Sequence, residues 1–123
     1  MPTTFTEGAA AAEFILSEAN GSRSRDNITI LSGQTIKAGN VLGKVTASGK
    51  YKLVTVAASD GSQNGVAVAI YDVDASGGDT YAAAIVRDAE VNKNLLTYGA
   101  DVDTSPEQLA VQTSLATVGI IAR

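Results

Sequence analysis

From Ile28 to the C-terminus, glycine, asparagine, aspartate and serine turns cut the chain into short apolar runs. That punctuation limits what the chain can fold into. The longest runs, such as Val66 to Tyr71 (VAVAIY), are about six residues, far below the ~20 that a membrane helix needs. Strands fit this pattern. Ile28 and Ile30 alternate with Thr29 before Ser32-Gly33 breaks the run. Val41 to Thr46 (VLGKVT) and Tyr51 to Val56 (YKLVTV) flank Ser48-Gly49 and predict a hairpin. Ser59 to Gly65 reads as a loop, and Val66 to Tyr71 is apolar enough for a strand buried on both faces. Asp72 to Asp79 reads as a second loop.

Thr80 to Arg87 (TYAAAIVR) sets two preferences against each other. Its alanines favour helix, while Tyr81, Ile85, Val86 and the preceding Gly-Gly favour strand, which is the assignment adopted. Glu90 to Tyr98 fits either a strand or a helical turn. Ser105-Pro106-Glu107-Gln108 predicts a helix start, with Ser105 as N-cap, Pro106 at the first helical position and Gln108 completing the cap. That helix runs to about Leu115, and Val118, Ile120 and Ile121 form a closing strand. The sum is a small, mainly β domain with one short C-terminal helix, and 123 residues suffice for one domain.

Residues 1–27 read differently, as an arm. Ser17 to Asp26 is polar with a turn signal at Asn20-Gly21, and both phenylalanines of the chain, Phe5 and Phe14, lie here. Ala9 to Leu16 has the composition for two helical turns, marginal alone in water. Large aromatics outside the apparent core suggest a segment that orders on a partner, with Phe5, Phe14, Ile15 and Leu16 as anchors. The first residues lack a basic start and Glu13 interrupts the apolar run, so no secretory leader is expected.

Composition removes whole classes of chemistry. There is no His and no Cys, which takes away the commonest general base, thiolate nucleophiles and cysteine metal sites. Nine basic residues against 13 acidic ones leave a net charge of −4, the wrong sign for a nucleic-acid face. Gly39 to Lys44 (GNVLGK) imitates a phosphate loop, but it has three residues between the glycines and Val45 where Ser or Thr is needed. Asp72-Val73-Asp74 opens like a calcium loop, yet Ala83 stands where the bidentate acid belongs. Asp101-Val102-Asp103 meets Pro106 where that loop needs Gly. No lysine stands in a Ser-x-x-Lys arrangement. The chain is read as a non-enzyme with no catalytic residue, no metal site and no cofactor. Charged residues are only 18% of the chain and its apolar side chains are small. A thin core with a weakly charged surface points to an oligomer.

Phe14 to Arg25 (FILSEANGSRSR) resembles the N-terminal segment of the head decoration proteins of tailed bacteriophages, the lambda D type. Ser32-Gly33-Gln34, Ala38 to Thr46 (AGNVLGKVT) and Ala89 to Lys93 (AEVNK) are similar to later parts of that family, as is the helix-then-strand ending after Ser105. The ordered set carries the resemblance, since no single piece is a catalytic signature. It implies a β-clip (tulip-like) body at 28–123 and a flexible capsid-binding arm at 1–27. It implies a homotrimer at three-fold and quasi-three-fold sites on the outer surface of the expanded phage head, made in the host cytoplasm. The partner would be the major capsid protein, with no direct nucleic-acid or membrane contact. Applied here, it makes Thr3, Thr4, Phe5, Thr6, Glu7, Phe14, Ile15 and Leu16 the capsid-binding residues, with Thr3 to Glu7 adding a strand to a capsid loop. The alternative reading is a non-enzymatic β module that binds sugar or a surface, which the scarcity of aromatics disfavours.

Overall fold

The computed structural model describes residues 14–19, 23–99 and 101–123. Its strands are β1 (Ile15–Glu18), β2 (Arg25–Ile30), β3 (Thr35–Ile36), β4 (Val41–Lys44), β5 (Tyr51–Leu53), β6 (Ala67–Ala69), β7 (Val73–Asp74), β8 (Thr80–Ile85), β9 (Ala89–Val91) and β10 (Ile120–Ala122). One α-helix, α1 (Ser105–Thr117), precedes β10, and a 3₁₀ turn spans Lys93–Leu95. The body is thus mainly β with a single C-terminal helix, as the turn-punctuated sequence requires.

Five strands close a barrel in the order β2-β5-β4-β6-β8. The β8–β2 seam is antiparallel over the whole of both strands, from Arg25 opposite Ile85 to Ile30 opposite Thr80. The predicted hairpin forms, with Leu42 opposite Leu53 and Lys44 opposite Tyr51. The Ala-rich run is strand, because its register with β2 places Ala84 and Ile85 in the interior. Closure leaves the barrel strands without free edges.

The core has two parts. Val41, Val68, Ile70 and Ile85 belong to one cluster, with Phe14, Val91, Val111, Leu115 and Ile120. Ile28, Ile30, Leu42, Ala67, Ala69 and Ala84 belong to the other. Neighbours along β4 and β6 therefore point into different clusters, which is the alternation of a strand covered on both faces. Helix α1 packs over the first cluster through Val111 and Leu115.

The helix start differs from expectation by one residue. Thr104, not Ser105, is the N-cap. Its hydroxyl accepts from the Glu107 amide, and the Glu107 carboxylate accepts from the Thr104 amide at 3.3 Å. Glu107 stands three after Thr104 and satisfies that reciprocal cap, so Pro106 falls at the second helical position.

The arm boundary also moves. Residues 14–18 and 25–27 were expected in a free arm, but 15–18 and 25–27 lie in the body's own sheets and Phe14 in its core. A second sheet, β1-β9-β10, has β9 at its centre. β1 pairs antiparallel with β9 through a bulge between Ile15 and Ser17, and β10 pairs parallel with β9. Arg25, Asp26 and Asn27 pair with Ile85, Ala84 and Ala83. The expected helix extended through Ile15 and Leu16, which are strand instead; Ala9 to Glu13 lie outside the described residues. Pairing with β9 gives these residues backbone partners that an isolated two-turn helix lacks.

Candidate interaction surface

Phe14 has 0% exposure, and its carbonyl accepts from the Asn92 amide at 2.7 Å. This corrects the expectation that Phe14 reaches outward to a capsid. An aromatic that fills the chain's own core is not available to a partner in this conformation. Ile15 is half-buried against the same cluster. Leu16, the extra residue of the bulge, is 53% exposed and faces outward. The three neighbours in sequence therefore do different work. Thr3, Thr4, Phe5, Thr6 and Glu7 lie outside the described residues.

On the sheet's outer side, register places Ser17 and Ile121 beside Glu90. Ile121 is 40% exposed. Sequence reading assigned Ile121 to a closing strand and missed this outward position. Alternation over three residues is too brief a signal to fix a face.

Ion pairs gather on the strands and turns at this end of the molecule. All four arginines of the chain are ion-paired at this end. Arg25 forms a two-pronged pair with Glu18, at 2.7 and 2.9 Å. That hydrogen bonding holds the Glu18 carboxyl below its ordinary value and raises Arg25. Arg123 meets Glu90 at 3.1 Å, Arg87 meets Asp26 at 3.5 Å, and Arg23 meets Asp88 at 3.5 Å. Exposed apolar side chains and arginines are both common at protein contact surfaces. Among the described residues, β1 has a hydrogen-bonding neighbour on one side only, which leaves a strand edge for addition.

The segments that imitate ligand loops form turns and strands. Gly39 takes φ +88° in the turn before β4, so the GNVLGK segment is a turn and a strand. Asp72 accepts from the Ala38 amide at 2.8 Å, and Asp74 accepts from the Ser76 amide at 3.0 Å. Both carboxylates thus serve backbone groups of turns. A shallow depression of about 370 Å³ is lined by Gln34, Lys52, Thr55 and Asp101, among others. Asp101 there accepts from the Thr55 hydroxyl and from the Ala57 amide, the latter at 3.1 Å. These bonds fasten the loop after β5 and hold the Asp101 carboxyl below its ordinary value, with the Thr55 contact the main cause.

Residues 4–120 match the family described as bacteriophage lambda head decoration protein D. The chain belongs to that family. No curated protein matches the chain. The head decoration family match begins at residue 4 and so takes in the leading segment, both sheets and the helix. The sheet edge at β1 is therefore part of a head decoration protein, and it stands where the leading segment joins the body.

Proposed function

We propose that this head decoration protein cements the phage head: a homotrimer seated at three-fold and quasi-three-fold sites of the expanded shell, contacting the major capsid protein and resisting internal DNA pressure. The family match over residues 4–120 carries this reading. The rest is support from the chain's own make-up. The protein acts by attachment and not by catalysis. Its leading segment places β-prone Thr3 to Glu7 ahead of β1, which has one paired side among the described residues. Strand addition supplies affinity from backbone hydrogen bonds, so it asks little of side-chain chemistry. Leu16 and Ile121, both exposed, add apolar contact on the sheet at the root of that segment.

Trimerisation multiplies modest contacts. Three arms on one body rebind at high effective concentration, and avidity exceeds the single-arm affinity by about 10²–10⁴ when the geometry allows joint engagement. Binding free energy held in the closed shell then opposes its rupture.

The test is cosedimentation of the purified protein with expanded empty heads, beside a variant lacking residues 2–13. The intact chain should pellet with heads and run as a trimer by native mass measurement; the variant should stay folded and remain in the supernatant. Equal binding by both would overturn the arm's role, and a monomer at the concentrations that decorate would overturn the trimer. The cut is placed before Phe14 because a deletion through residue 16 removes a core aromatic and part of β1.

A further inference from the structure

The loop between β5 and β6 holds two dipeptides open to the same backbone reaction, Asp60-Gly61 and Asn64-Gly65. Glycine does not shield its own nitrogen, which can attack the preceding side-chain carbonyl carbon and close a succinimide ring. The fold treats the two sites differently. Asp60 Oδ1 accepts from the Ser62 amide at 3.1 Å and the Ser62 hydroxyl at 2.6 Å. These bonds keep the carboxyl ionised, the form that resists attack. The Gly61 N–H, the would-be nucleophile, donates to Gln63 Oε1 at 2.8 Å. Asn64 has no such protection. It is exposed, its side chain is uncharged, and it takes no part in the hydrogen bonds that hold Asp60, Ser62 and Gln63. Backbone bonds run from Asn64 N to the Gly61 carbonyl and from Val66 N to the Leu42 carbonyl, passing over the Gly65 nitrogen between them.

We propose that Asn64 is a deamidation site of the folded protein, and that its isoaspartate product loosens α1 from the barrel. The Gly65 nitrogen bonds to Asn64 Cγ, the Cγ–Nδ2 bond breaks, and Nδ2 leaves as ammonia carrying the proton from the Gly65 nitrogen. Water then opens the ring. Attack at Cγ gives aspartate, and attack at the main-chain carbonyl carbon gives isoaspartate; nothing is oxidised or reduced. Either product adds one negative charge. Isoaspartate also routes the main chain through the side-chain methylene, lengthening it just before Gly65. There is no slack at that point. Gly65 is buried, and a Cβ placed on it would lie 2.8 Å from Val111 Cγ1, 2.9 Å from Val41 Cγ1 and 3.2 Å from the Val111 carbonyl oxygen. Val111 is one of the two buried residues of α1, and Val41 belongs to the barrel. A displaced Gly65 therefore pushes the two apart.

The experiment uses the isolated full-length chain and does not depend on the capsid reading. The protein and its Asn64→Gln variant are held at mildly alkaline pH, natively and in urea, then peptide-mapped for aspartate and isoaspartate at residue 64; Asn20-Gly21 falls on a separate peptide. Asn64 should convert in the native protein, more slowly than in urea, with isoaspartate the larger product. The isoaspartate fraction should melt below the fresh protein, while the Asn64→Gln variant, aged alongside, keeps residue 64 unchanged and its own starting Tm. Asn64 surviving natively after full conversion in urea would overturn the site. An isoaspartate fraction that melts with the fresh protein would overturn the loosening.

Discussion

The Ser24 hydroxyl donates to the Asp88 carbonyl at 2.7 Å, joining the start of β2 to the turn between β8 and β9. The same oxygen accepts from the Ala19 amide at 2.8 Å, just after β1. Ser24 is fully buried, and Asp88 sits at φ 50°, in the left-handed region. One hydroxyl thus ties together the three places where β1, the barrel and β9 meet. Ser24→Ala leaves the Ala19 amide and the Asp88 carbonyl without this partner and should cost about 1–3 kcal/mol in urea unfolding. A loss below a few tenths would show that water replaces the hydroxyl there.

Phe14 and Leu16 should separate stability from attachment. Phe14→Ala empties a core position and should cost about 3–5 kcal/mol. Leu16→Ala should stay within about 0.5 kcal/mol of the parent in unfolding, yet weaken binding to expanded heads. Urea titration and cosedimentation of both variants read the two effects apart; the reverse ordering in unfolding would contradict the placement of these side chains.

The helix cap offers a comparison between adjacent residues. Thr104→Ala should lose about 1 kcal/mol, because its side chain serves the Glu107 amide. Ser105→Ala should change stability by only a few tenths, since residue 105 is exposed within the first turn. Paired chemical denaturation curves decide which residue caps.

Gly43 cannot accept a side chain. A Cβ there would overlap the main chain of Ser62, whose side chain is fully buried. Gly43→Ala should destabilise by about 1–3 kcal/mol or more, as in other overpacked cores. Gly77, where a Cβ meets nothing within 4 Å, is the permissive control. Equal melting temperatures for Gly43→Ala and Gly77→Ala would refute the close approach.

Acid should act through carboxyls held by hydrogen bonds, Asp60, Asp74 and Asp79 among them. Glu18, Asp101 and Glu107 are held below their ordinary values by Arg25, Thr55 and Thr104 respectively. A carboxyl with a depressed folded value adds stability above its unfolded value, and that stability is lost as pH falls through the folded one. The loss therefore falls below about pH 4, where free carboxyls begin to protonate. With no His in the chain, stability should be nearly flat between about pH 5 and 8. Asp101→Asn should shrink the acid limb of a Tm–pH curve and leave the plateau's shape unchanged; a step near neutral pH would contradict this.

Strong local signals made the body legible before any coordinates. The Ser48-Gly49 hairpin, the both-faces strand around Val68 and the closing strand at Ile120 all follow from turn chemistry and period-two patterning. The errors cluster where a long-range partner decides. Phe14 to Leu16 offers too few residues for a period, and its strand character comes from β9, over seventy positions away in the chain. The cap at Thr104 was visible in principle, since Thr104 and Glu107 have capping-box spacing, but the Ser-Pro pair drew the boundary one residue late. The outward position of Ile121 depends on register with Glu90, which no local pattern of three residues encodes.

Phe14 stands directly ahead of β1, with its ring wholly inside the molecule and its carbonyl tied to Asn92. Tension arriving from residues 1–13 meets that wedge before it can peel a single rung from β9. The first part of the body to feel a tug is thus a core side chain, like a knot seated behind a hole, and strain on the leader is passed to the cluster around it.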